Sequence, residues 1–283
     1  MNRYVLVLLS LGAIQAYGQQ DSSAPPKYGW AHSVVAGLTA TQVSFNNWTQ
    51  GGENALAYTV SLEGKSTDDL AEINWANDYK FAYGQTRLGD QGVRKTDDKI
   101  DLASVLSYKL GGVLNPYVAA TFKTQFTRGY KYDGGGTATG VSDFFDPGYL
   151  TQSAGAVYQP IPEAKTRFGF ALREIVTSRF APLYTDDPST AGVEKTRVNG
   201  GLESVTEVNW KLADNILLTS KLELFDAFNA MDVIIVRSDN TLAMKVNKYI
   251  VVNVNVQLIN ERPVSPRMQV KQTLALGLTY SLI

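Results

Sequence analysis

Residues 249–260 read Tyr-Ile-Val-Val-Asn-Val-Asn-Val-Gln-Leu-Ile-Asn. Successive side chains of an extended chain point to opposite sides, so Ile250, Val252, Val254, Val256 and Leu258 share one face and Val251, Asn253, Asn255 and Gln257 the other. No Gly or Pro interrupts the run, and β-branched residues dominate it. The stretch therefore predicts a strand with one face in apolar surroundings and one face out of them.

The same period of two recurs on both sides of this segment. Apolar sets fall at Ile73, Trp75, Tyr79, Phe81 and Tyr83, at Ile100, Leu102, Leu106, Tyr108 and Leu110, and at Phe168, Phe170, Leu172 and Val176. Further sets are Ile216, Leu218, Leu222 and Leu224, then Leu274, Leu276, Leu278, Tyr280 and Leu282. Charges gather on the opposite faces. Strands are predicted over 31–45, 55–67, 70–86, 99–110, 115–128, 149–159, 166–179, 196–211, 215–226, 231–245, 248–260 and 268–283.

The connections alternate in length. Those after odd strands (46–54, 87–98, 129–148, 180–195, 227–230 and 261–267) are mostly long, and those after even strands are short turns. Short periplasmic turns and longer outer loops, with both termini periplasmic, produce this rhythm. Trp75, Tyr108, Trp210, Phe168 and Tyr280 then fall near the periplasmic interface, where aromatic rings are favoured. The predicted fold is all-β: a transmembrane antiparallel up-and-down β-barrel of about 12 strands. Two features fit poorly. Glu174 falls on the lipid-facing parity, and Ser238-Asp239-Asn240 has the composition of a turn inside a strand.

Composition bounds the function. Residues 1–18 read as a signal peptide, with Arg3, an apolar run and small residues at Ala16 and Gly18; residues 19–29 then form a short periplasmic segment and 30–283 the barrel. No later stretch approaches the ~20 apolar residues of a helical span. With 26 Lys+Arg against 27 Asp+Glu, no basic surface points to nucleic acid. The chain has no Cys and one His, which excludes a Cys/His metal site and a lipoprotein anchor. Mean hydropathy is −0.13, the average of a wet interior and an apolar exterior.

Phe45-Asn46-Asn47-Trp48-Thr49-Gln50-Gly51-Gly52-Glu53-Asn54, followed by Leu56-Ala57-Tyr58, resembles a hallmark of a Bacteroidota family known only as a domain of unknown function. Residues 239–249, Asp-Asn-Thr-Leu-Ala-Met-Lys-Val-Asn-Lys-Tyr, look like its second signature. The resemblance implies an outer-membrane barrel and carries over no catalytic residue. The last strand partly matches the signal read by barrel-assembly machinery, with the terminal Ile283 one residue out of phase.

Candidate lumen-lining residues are Glu72, Asp78, Lys80, Asp101, Lys109, Lys123, Arg167, Arg173, Glu203, Glu207, Lys221 and Glu223. Their signs are mixed, so they either line an ion path or pair with one another; a selective constriction more often shows one sign. Trp48, Tyr130, Tyr132, Phe144 and Phe145 are candidate recognition residues of surface loops, or serve to pack those loops. Asp143 with Asp146, or Asp186 with Asp187, is too few ligands for a Ca²⁺ site without a defined loop. His32 opens the first strand at the periplasmic end, away from where barrel enzymes work.

The sequence thus predicts a non-enzymatic pore, binding or structural envelope protein with no cofactor and no metal. Expected partners are outer-membrane lipid, the barrel-assembly machinery during biogenesis, and a small solute or glycan. The alternatives are an outer-membrane enzyme acting on lipid and a soluble periplasmic β-barrel binding protein.

Overall fold

A computed structural model describes residues 28–44, 53–187, 189–231, 233–262 and 264–282. The predicted signal peptide, most of the 19–29 segment and the loop holding Trp48 lie outside the described residues. Twelve strands pair with a neighbour on each side and close a ring: β1 (Gly29–Val43), β2 (Ala55–Asp69), β3 (Ile73–Leu88), β4 (Val93–Tyr108), β5 (Leu114–Thr124), β8 (Gly148–Ile161), β9 (Ala164–Val176), β10 (Thr196–Ala213), β11 (Ile216–Ala227), β12 (Ile235–Lys245), β13 (Ile250–Asn260) and β14 (Gln269–Ser281). All neighbours are antiparallel. Gly29 and Ser281 lie at one end, the base; the opposite end is the rim. A separate hairpin, β6 (Gly129–Tyr132) with β7 (Ala138–Ser142), and the single turn α1 (Ala181–Tyr184) stand at the rim.

The barrel is apolar outside and charged inside. Phe170 (69% exposed), Leu274 (78%) and Leu276 (64%) face out, while Arg167 and Arg173, on the other parity of β9, are 6% exposed. A water-soluble barrel distributes these residues the other way, since exposed apolar patches of this extent mark an interaction surface. Trp30, Trp75, Tyr108, Tyr158, Trp210 and Tyr280 form an exposed aromatic collar at the base. Phe168 lies four residues into β9, above that collar. No helix among the described residues is long and apolar enough to cross a membrane.

Several boundaries differ from the sequence reading. The predicted loop 87–98 is mostly strand: β3 and β4 continue to Leu88 and from Val93, with one register shift at Gly84/Gln85. Their polar tips look like loop sequence because they stand beyond the apolar band. Ser238-Asp239-Asn240 is uninterrupted strand. Asn240 accepts a hydrogen bond from the Ser220 hydroxyl (2.6 Å) and donates to Ser238 (2.8 Å), so the outward polar atoms satisfy one another, and Asp239 points inward. No bulge moves Glu174; it pairs with Leu150 and Val198 two residues from the rim end of β9.

Two places in the ring are unusual. A Cβ on Gly169 would fall on the Ala154 carbonyl oxygen, one on Gly155 on that of Phe168, and one on Gly201 on that of Asp226. Glycine there lets adjacent strands turn sharply at a barrel corner. At the other place, β1 pairs with β2 along all its residues but meets β14 only from Val35↔Ser281 to Thr39↔Gly277. On the rim side of Gly277, β14 has no partner on its β1 edge among the described residues.

Gly169→Val is expected to destabilise the folded barrel by about 1–3 kcal/mol through forced backbone displacement. Gly192→Ala, where an added Cβ meets nothing within 4 Å, is the control and is expected to be near neutral. The temperature at which the folded gel band converts to the unfolded one measures both.

Candidate functional site

Ten of the predicted lumen residues lie on the inward parity: Asp78 and Lys80 on β3, Asp101 on β4, Lys123 on β5, Arg167 and Arg173 on β9, Glu203 and Glu207 on β10, Lys221 and Glu223 on β11. One is corrected: Glu72 belongs to the base turn between β2 and β3, where it accepts a hydrogen bond from the Tyr108 hydroxyl (3.2 Å), on the outer side of the wall. Lys109, one residue past the end of β4, contacts Asp69 (2.8 Å), which is on the inward parity of β2, and donates to the Leu70 carbonyl (2.6 Å) at the base.

The inward charges pair across the barrel as well as along it. Lys123 Nζ lies 2.7 Å from Glu223 Oε1, which Lys221 also contacts at 2.8 Å. Lys99 on β4 joins Asp101 (3.8 Å) to Asp239 on β12 (3.3 Å), and Asn255 donates to the other Asp239 oxygen (2.7 Å). Lys165 with Glu207 (2.8 Å) forms a ladder pair nearer the base. Lys271 on β14 reaches Asp97 on β4 (3.1 Å) nearer the rim.

The Lys99–Asp239 contact fixes the cross-section. β4 and β12 are six steps apart either way round the ring of twelve, so they are diametrically opposed. Twelve strands about 4.8 Å apart at ~40° tilt enclose a circle about 24 Å across. Extended Lys and Asp side chains joined end to end bridge roughly half of that. The barrel is therefore flattened along the β4–β12 direction. β1 and β9 lie a quarter turn away, at the sharply curved ends, which is where the glycine corner and the short β1–β14 seam are found.

Above the flattened section, Glu261 at the start of the β13–β14 connection turns into the lumen. It is 3% exposed, with Oε1 2.7 Å from Arg173 Nη2 and Oε2 2.6 Å from Arg237 Nη2. Both guanidiniums also lie over the Tyr149 ring, at 5.5 and 4.9 Å. Burial pushes the Glu261 carboxyl up, and the Arg237 and Arg173 charges outweigh it, holding the group below its ordinary 4.5. A cavity of about 410 Å³ runs through this level of the lumen: Gln269 and Tyr184 line it toward the rim, Lys99, Asp239 and Gln257 line its middle, and Lys80 and Asp78 line it toward the base. Burial first, then the neighbouring Tyr149, Asp146 and Glu261, push the Tyr184 phenol up to about 12, so it stays neutral.

Sequence reading missed Lys99, Arg237, Asp239, Glu261, Asp97 and Lys271. Lys99 shares the parity of Asp101, and Arg237 and Asp239 share that of Thr241; extending the period of two through 235–245 finds them. Nothing local shows that Glu261, past the last strand residue, folds inward.

Three of the described candidate aromatics have ring contacts at the rim. Arg94 lies over Tyr132 (4.2 Å) and Arg128 over Tyr130 (5.5 Å), and Phe145 stacks on Phe122 (5.5 Å) outside the wall. Phe144 is 61% exposed. Asp146 accepts the backbone N–H groups of Ser178 (2.9 Å) and Arg179 (2.8 Å), Asp143 faces Arg179 (3.5 Å), and Asp187 caps Ser189 (2.9 Å). No cluster of three potential metal ligands occurs among the described residues. His32 faces outward, stacked on Trp30 (5.6 Å) and bonded to Ser66 (2.9 Å), as part of the collar.

The sequence profile of a family described as "Protein of unknown function (DUF3078)" matches residues 40–130, about a third of the chain. No curated protein matches. Among solved structures, the translocator domain of the autotransporter NalP from Neisseria meningitidis is 11% identical, with 92% of this chain and 90% of that one covered and a TM-score of 0.40. An outer membrane channel from Pseudomonas putida F1 is 13% identical, with 94% and 99% covered and a TM-score of 0.41.

Two outcomes test the network. Glu223→Gln leaves Lys123 and Lys221 facing each other and is expected to cost about 3–5 kcal/mol of barrel stability in the same gel assay. A carboxyl depressed in the folded state stabilises it above the unfolded value and ceases to as pH falls through the folded one. Exchange of the 261–268 amides is therefore expected to be slow above the ordinary 4.5 and to speed up below it. Glu261→Gln is expected to remove that pH dependence.

Proposed function

We propose that the chain is a non-enzymatic outer-membrane barrel whose lumen is closed by its own ion pairs and whose rim vestibule takes up a small solute. The observation that carries the closure is the Lys99–Asp239 contact between diametrically opposed strands, backed by Lys123–Glu223 between strands four steps apart. Outer-membrane location is supported by the apolar wall, the aromatic collar at the base and a ring without a helical span. A cleaved signal peptide over 1–18 delivers the chain, and the two signature segments favour a Bacteroidota envelope.

The mixed charges do not favour a selective channel. A conducting constriction keeps its charges free to exchange ions, whereas these are held by one another. The cavity beside these pairs, lined on its rim end by Gln269 and Tyr184, is of a size for a small polar solute.

Reconstituted in a planar bilayer, the mature chain is expected to show no steady conductance. Lys99→Ala combined with Lys123→Ala, which removes the two cations that bridge the lumen at the flattened section, is expected to open discrete channels. Steady large channels in the unaltered protein, shown to be folded by its heat-dependent mobility, would overturn the closed-lumen reading.

A further inference from the structure

The grip on Glu261 has more capacity than a carboxylate uses. A guanidinium carries five N–H donors in a fixed fork, suited to bidentate contact with an oxyanion. Arg173 and Arg237 each give one short contact to one Glu261 oxygen, and the buried Arg237 Nε has no partner. Two guanidiniums sharing one aromatic ring repel each other unless an anion lies between them. A tetrahedral phosphate offers more acceptor oxygens than a carboxylate and suits this fork geometry.

The place is reachable. Glu261, Arg237 and Tyr149 all line the cavity of about 410 Å³, which reaches the rim side of the lumen at Val264 and Gln269. Lys80 lines it too, toward the base, and has no ion-pair partner among the described residues. Of the carboxylates on the cavity wall, Glu223 is engaged by Lys123 and Lys221, Asp239 by Lys99 and Asp97 by Lys271, while Asp78 lies toward the base, away from the two arginines. Glu261 belongs to a connection and not to a strand, so its withdrawal breaks no ladder.

We propose that Arg173 and Arg237, over the Tyr149 ring, form a binding site for a small phosphate-bearing solute entering from the rim, which Glu261 occupies as an internal stand-in. The proposal rests on the reading of a lumen closed by its own side chains and names what the vestibule takes. The phosphate group displaces the Glu261 carboxylate and gains the spare Arg237 donor. The displaced connection then moves toward the rim.

The test is calorimetric titration of the full-length mature protein in detergent with pyrophosphate, inorganic phosphate and succinate. Glu261→Ala is expected to bind pyrophosphate at least about tenfold more tightly than the unaltered protein, the range of an intramolecular competitor's coupling. Glu261→Gln, which keeps the bulk of the side chain, serves if the alanine variant does not fold. Adding Arg237→Gln is expected to abolish the gain, and succinate is expected to bind more weakly than pyrophosphate. Equal affinity for succinate, no tightening in a folded Glu261 variant, or binding that survives Arg237→Gln would each overturn the proposal. Bilayer conductance of the unaltered chain decides separately: steady channels beside the expected titrations would sink the closed-lumen reading alone.

Discussion

The structure depends on the need to neutralise charge inside a closed wall. Period-two alternation puts Lys, Arg, Asp and Glu on the inner face of strand after strand, and a wall of strands with an apolar outside separates them from bulk solvent. An ionised group left alone in such a place costs several kcal/mol, while a paired and hydrogen-bonded one is tolerated. Ladder neighbours meet part of the need, as with Lys165 and Glu207. The rest is met across the lumen, and side chains are short compared with the width of a circular twelve-stranded ring. The ring therefore flattens until Lys99 reaches Asp239 and Lys123 reaches Glu223.

Flattening has consequences at the ends of the ellipse. Around β9 the backbones of β8, β9 and β10 approach so closely that Gly155, Gly169 and Gly201 leave no room for a Cβ. Around β1 the wall gives way in another manner, and only a few residue pairs join β1 to β14. Lys271 and Glu261, at the rim end of the β13–β14 hairpin, are held by Asp97, Arg173 and Arg237 from other walls. Those contacts tie the rim end of this hairpin to the lumen side of the wall at the place where its β1 edge has few partners. In lipid the apolar exterior contributes little cohesion, since acyl chains solvate it as well as other side chains do. The ladder and the interior pairs carry the specificity.

Much of the architecture was legible in the sequence because a period of two is a local property. Residues 250–258 declare their two faces without reference to any other strand, and so do 274–282. The errors arise where local composition and long-range placement part. The polar tips of β3 and β4 look like a loop because their surroundings change beyond the apolar band while their pairing does not. Ser238-Asp239-Asn240 looks like a turn because its partner Ser220 is remote in sequence. Glu72 keeps the inward parity in sequence, but parity loses its meaning where the strand ends. Opposed partners such as Lys99 and Asp239 lie 140 residues apart and six strands round the ring, and no local pattern encodes that distance.

The mixed signs of the inward charges suit the closure proposed above. A lumen that passes one class of ion gains from an excess of the opposite charge at its narrowest point. A lumen that seals itself gains from balance, because every unmatched charge would have to be buried alone. Glu261 fits the same rule at the rim: Arg173 and Arg237 sit close enough to need an anion between them, and the chain supplies one from its own connection. That anion is the one member of the network not fixed in the barrel wall. The step from a sealed barrel to one that responds to what enters its vestibule therefore requires the movement of a single loop carboxylate, not the rearrangement of a strand.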